Sequence, residues 1–119
     1  MKTILAALFL ALFATSAMAT TVVLSWDKTT DTSVTGQKVY YDSQCTAPLK
    51  GTTATQGASG YLVANGTGTT VSGLLSTSPW CFAVTNVNAQ GMESVLSNIV
   101  TVPAFPAAPI GLKFIAISP

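Results

Sequence analysis

Few side chains in this sequence could do chemistry. Its 119 residues include no histidine, and five Lys and Arg face four Asp and Glu. The acids are Asp27, Asp31, Asp42 and Glu93, so any general acid–base pair would have to come from these. Asp27 and Asp31 share one loop, where aspartate is ordinarily a turn residue. No base–nucleophile pair and no metal-ligand set can be read from the spacing, so catalysis is not expected. Asp27 with Asp31 supply too few oxygens for Ca²⁺, which takes about six to eight. No cofactor is implied.

The remaining reactive groups are two thiols, Cys45 and Cys81. An even count in an oxidising compartment reads as a disulfide, and only one pairing exists. Two free thiols or a metal pair are the competing readings, the latter poor without histidine. Closing the 35-residue loop between them would stabilise the domain by about 3–4 kcal/mol on the chain-entropy model.

The compartment is read from the N-terminus. Lys2, the apolar run Ile4–Phe13 and the small-x-small exit Ala17-Met18-Ala19 form a secretory signal peptide. The run is shorter than the about 20 residues a spanning helix needs, which disfavours an uncleaved anchor. Residues 1–19 are thus expected to be removed. The chain is then secreted, periplasmic or held at the cell surface, with no membrane contact after cleavage. From Thr20 onward four lysines balance four acids, and there is no arginine. Nucleic acid and anionic membrane are therefore not expected as partners, since both demand clustered positive charge.

The elements that would position these residues are strands. Trp80, Phe82 and Val84 alternate with Cys81, Ala83 and Thr85 across Trp80–Asn88, a period of two with one buried face. Val22, Leu24 and Trp26 share a face of an earlier strand, and Val39 and Tyr41 share a face of Gly36–Asp42. Residues 46–59 lack periodicity and read as a long loop or weak edge. Tyr61–Ala64 is a short strand, and Asn65-Gly66-Thr67-Gly68 a strong turn signal. Asn65-Gly66-Thr67 also fits a glycosylation sequon, relevant only in a host that glycosylates. Thr69–Leu74 and Ser97–Val102 complete the set. Short strands, regular turns and no helical period argue an all-β, two-sheet antiparallel sandwich.

Read in order, these residues resemble a fibronectin type III domain. The resemblance rests on Val22-x-Leu24-x-Trp26, Gly36-x-x-Val39-Tyr40-Tyr41, Val71-Ser72-Gly73-Leu74, Trp80-x-Phe82-x-Val84-x-Asn86-Val87-Asn88, Gly91-x-Glu93-Ser94 and Ser97-Asn98-x-Val100-x-Val102. It covers about Val22 to Val102 and places the domain at residues 20–102. It implies strands B (Val22–Trp26), C (Gly36–Asp42), C′ (Tyr61–Ala64), E (Thr69–Leu74), F (Trp80–Asn88) and G (Ser97–Val102). Two departures matter. Gln37 stands where the family usually has an aromatic, which implies looser packing at the start of C. Trp80 stands at the corner tyrosine, and an indole can donate a hydrogen bond but not accept one. The resemblance also places the Cys45–Cys81 bridge on the outer face of the C–F sheet.

Strand A has no counterpart before strand B. Residues 103–119 instead resemble a Pro-rich linker and the strand A of a following domain, with Ile110, Leu112 and Phe114 alternating and Ile115 and Ile117 blurring the pattern. So apolar a segment should not stay exposed. It could fold back on its own domain, although an antiparallel return is strained: residues 103–109 span only about 23 Å. It could add a strand to the next subunit, giving head-to-tail self-association. Or it could be the remnant of a longer protein.

Two function classes follow. One is a non-enzymatic binding module for a protein or glycan. Its candidate recognition surface is Asp27, Asp31, Tyr40, Asn88, Gln90 and Met92, although cross-strand packing beside the disulfide explains Tyr40 as well. The other is a structural subunit whose tail, through Ile110, Leu112 and Phe114, donates a strand.

Overall fold

The computed structural model describes residues 19–119; residues 1–18, and with them nearly all of the expected signal peptide 1–19, lie outside the described residues. Six strands follow one another: β1 (Ala19–Ser25), β2 (Val34–Asp42), β3 (Tyr61–Ala64), β4 (Gly68–Leu75), β5 (Trp80–Asn88) and β6 (Val100–Val102). All pairings are antiparallel. One sheet is β1-β4 and the other β3-β2-β5-β6.

The core lies between the sheets. Leu24, Val71 and Leu74 from the first meet Val39, Tyr41, Trp80 and Phe82 from the second, with Ala54 from the long loop. These are the apolar members of the alternating patterns, so the period-two reading fixes which face turns inward. One position breaks the period. Val71 and Leu74 are three apart yet both fully buried. Gly73, at φ +79°, absorbs the extra residue. The register slips by one there, between the Thr20–Leu74 and Val22–Val71 pairs. A glycine in the left-handed region lets a bulge re-aim Leu74 into the core.

Trp80 occupies the corner before β5. Its ring lies 6.1 Å from that of Tyr41, and its Nε1–H donates to the Leu75 carbonyl at 2.9 Å. The indole thus ties the β4–β5 corner as a donor, as its chemistry allows.

The start of β2 differs from expectation. Gln37 is 1 % exposed, and it does not loosen the strand. Its amide donates to Asn65 Oδ1 at 2.8 Å and Asn86 Oδ1 at 3.2 Å, and its carbonyl accepts from the Gly66 amide at 3.1 Å. A polar side chain packs here because every group finds a partner. Residues 46–59 are likewise an ordered loop. The buried Tyr41 hydroxyl donates to the Gly57 carbonyl at 2.6 Å and accepts from the Ala54 amide at 3.0 Å. Gly51 donates to the Tyr41 carbonyl at 2.7 Å, lying so close to that ring that a Cβ would not fit.

The last strand is shorter than the span Ser97–Val102 predicted for it. Residues 94–99 still follow β5, but two serines replace the regular ladder. Ser94 donates its amide to the Asn86 carbonyl at 2.9 Å, and its hydroxyl accepts from the Asn86 amide at 3.0 Å. Ser97 does the same with Val84, at 2.9 Å in both directions. The serines are three apart and their partners two apart, so an extra residue bulges out and the strand assignment stops.

The tail does not pack on its own domain. Residues 103–119 form no strand, and Ile110, Leu112 and Phe114 are 96 %, 97 % and 79 % exposed. The fold-back expected as one outcome is not the one adopted.

Candidate functional site

Cys45 and Cys81 meet as a disulfide with Cα atoms 5.4 Å apart. Cys81 pairs across the sheet with Asp42 and Thr101. It alternates with the core residues Trp80 and Phe82, so the bridge covers the outer face, as the resemblance implied. Both sulfurs lie beside the Thr101 hydroxyl, at 3.7 and 3.5 Å. That cover explains why Cys81 is fully buried on an outward face.

Farther along that face stands a polar cluster that the sequence reading did not assemble. Register places Tyr40 opposite Ala83 and Lys38 opposite Thr85. Glu93, held after β5 by a bridge to Val87, reaches across all of them. Its carboxylate accepts from the Tyr40 hydroxyl and from the Thr85 hydroxyl at 2.9 Å, and pairs with Lys38 Nζ at 3.4 Å. The Tyr40 hydrogen bond, aided by Thr85 and Lys38, holds the Glu93 carboxyl below the usual carboxylate range. The same bond pushes the Tyr40 phenol above its ordinary value. Tyr40 is thus engaged across the sheet, where Glu93 clamps it beside Thr85 and Lys38. Only contact across the sheet identifies this role for Glu93, since no local spacing links it to Tyr40.

The other candidate recognition residues gather at one end of the sandwich, where β2 begins and β5 ends. Val34 pairs with Asn88 there. Asp31 Oδ1 accepts from the Ser33 amide and hydroxyl at 3.0 and 2.7 Å, and these bonds lower its pKa. Asn88 Oδ1 accepts from the amides of Gln90 and Met92 at 3.0 and 2.9 Å. Asp31 and Asn88 therefore build their turns, and Gln90 and Met92 are displayed by them. Asp27 follows β1 at the same end. Among the described residues, no three His, Cys, Asp or Glu side chains gather where a metal ion could sit.

An open groove of about 560 Å³ runs along one side of the sandwich. Leu24, Trp26, Phe82, Val84, Leu96 and Val100 are among the residues that line it. Its cause lies in the topology. Among the described residues, β1 pairs with β4 alone, so its other edge is bare beside the groove. Asp27 also lines this groove.

The tail begins at the opposite end. Val102 pairs with Trp80, and the Phe105 amide donates to the Ser76 carbonyl at 2.9 Å, fixing where the chain leaves the body.

Compared with known proteins, the chain matches no family model, no curated protein and no solved structure.

Proposed function

We propose that this chain is an exported, non-enzymatic β-sandwich of fibronectin type III type, working as an assembly subunit through its C-terminal tail. The family reading is supported by the ordered motifs and by the agreement of the two sheets with strands B-E and C′-C-F-G. The corner bond from Trp80 to Leu75, made where the family has tyrosine, supports it further.

One observation carries the assembly reading. Ile110, Leu112 and Phe114, which alternate in the sequence, stand largely exposed, and among the described residues the outer edge of β1 is bare. Unpaired strand edges template pairing with other chains, and exposed apolar segments mark interaction sites. The disulfide-stapled body and a surface with few charges suit life outside the cytoplasm.

Light scattering on the exported protein over a concentration series tests the proposal. The expected result is mass that grows with concentration and falls to a monomer in a Leu112→Asp, Phe114→Asp variant. A wild-type protein that stays monomeric throughout refutes it.

A second reading is recognition of a protein or glycan by the end loops. It is favoured by the Met92 side chain, 62 % exposed on a turn locked by Asn88. A glycan array with wild type and Met92→Ala tests it, and identical blank arrays refute its glycan form.

A further inference from the structure

We infer that the tail of one copy enters the groove of the next, with residues 110–114 adding a strand to the bare edge of β1. This rests on the assembly reading and names its acceptor.

The edge is prepared to receive a strand. The Trp26 amide donates to the Thr67 carbonyl on the β4 side at 2.8 Å. In an antiparallel pair such bonding alternates residue by residue. The amides of Val22 and Leu24 therefore turn toward β4, and those of Thr21, Val23 and Ser25 turn outward. The outward set spans five residues, about 13 Å at 3.3 Å per residue. Ile110 to Phe114 spans the same length with three apolar side chains on one face. That face matches the groove beneath, where Trp26 and Val84 are half-buried and lie beside the core residues Leu24 and Phe82. Lys113 falls on the opposite face and stays in solvent. Gly111, at φ +73° in the free tail, extends at little cost because glycine occupies both regions.

The occupant is a second copy rather than the chain's own tail. The Phe105–Ser76 bond pins the exit, and Pro103, Pro106 and Pro109 hold the next stretch extended. In polyproline form that stretch carries Ile110 about 16 Å from the pinned Phe105. Each copy then offers one donor and one acceptor at different places on its surface. Such heterologous contacts propagate as an open chain rather than closing into a dimer.

The test uses two variants of the exported protein. Val23→Pro removes an outward amide from the bare edge and leaves the β4 ladder intact, a position where proline is tolerated. Ser25→Pro does the same should the first variant fold poorly. Leu112→Asp with Phe114→Asp disables the donor only. Each variant alone is expected to remain monomeric by light scattering. Mixed, they are expected to form a species of twice the monomer mass and nothing larger, because one good donor meets one good acceptor. Acrylamide quenching supplies a readout without any groove mutation. Trp26 is expected to be more shielded in the wild-type assembly than in the donor variant, against a constant background from buried Trp80.

If Val23→Pro assembles like wild type while the donor variant does not, the acceptor lies elsewhere. The groove assignment then falls, but tail-driven assembly stands. If the wild type never assembles, both fall. A mixture that stays monomeric also overturns the groove assignment.

Discussion

Replacing Gln37 by leucine isolates what the buried polar cage at the start of β2 contributes. Leucine keeps the volume roughly constant and removes all three side-chain hydrogen bonds. The groups left behind do not suffer equally. Asn65 is exposed and regains water, whereas Gly66 and Asn86 are half-buried. One to two groups therefore lose a partner without full replacement, at about 1–3 kcal/mol each. Leucine returns part of this by burying more apolar surface. The net loss is about 2 kcal/mol, which lowers the melting temperature of a domain this size by about 8–16 °C. Thermal melting and urea unfolding of the two proteins measure it. Asn65→Ala supplies a control: with Gln37 already replaced, its own cost should shrink, because the pair is coupled. If Gln37→Leu melts within about 2 °C of wild type, the cage does not hold β2, and the reasoning that satisfied polar groups replaced an aromatic here is wrong.

Other perturbations have equally definite outcomes. Removing the disulfide with Cys45→Ala and Cys81→Ala should cost about 3–4 kcal/mol while leaving a folded domain, measured by urea unfolding; an unchanged midpoint would show that the bridge contributes nothing. Trp80→Phe deletes the corner bond to Leu75 and should cost about 1–2 kcal/mol, part hydrogen bond and part lost packing. Gly73→Ala forces a side chain into the left-handed region and sets its Cβ 2.5 Å from Thr55 Oγ1; a loss of at least about 1–2 kcal/mol is expected. Glu93→Gln should lower stability across the neutral range and flatten its dependence on pH. Glu93 is shifted down in the fold, so its contribution is complete above the carboxylate range and disappears as pH falls through it. Tyr40 is shifted up, so its contribution is complete below the ordinary phenol range and fades as pH rises beyond it. The difference between the two proteins should be flat from about pH 5 to 9 and shrink at both ends. A difference that does not change with pH would contradict the Tyr40–Glu93 clamp.

The strands were legible because their apolar residues alternate, and alternation survives any detail of packing. Trp80–Asn88 and Tyr61–Ala64 were read to the residue. Ser97–Val102 was not, because Ser94 and Ser97 satisfy β5 with side chains as well as amides, and period counting sees only a strand. Gln37 misled for a related reason. Its partners Asn65 and Asn86 are 28 and 49 residues away in the chain, and a lone glutamine among apolar neighbours reads as a defect. The clamp on Tyr40 was hidden in the same way, since Glu93 meets it only through the pairing of β2 with β5. Long-range polar contacts leave no local period, whereas the exposed tail could be picked out by composition alone.

The bare edge of β1 and the apolar tail acquire meaning only together. A two-stranded sheet has little independent stability, and here its outer edge runs beside a groove lined by the half-buried Trp26 and Val84. One added strand would pair the outward amides of Thr21, Val23 and Ser25 and cover the groove in the same step. The tail carries an apolar face of the required length at a point its own prolines hold away from the body. Covering each groove with a neighbour's tail removes both exposed surfaces at once and recreates them only at the two ends of the chain. Assembly should therefore stabilise the body as well as lengthen the polymer. The melting temperature of the wild type should rise with protein concentration, while that of the Leu112→Asp, Phe114→Asp variant should not.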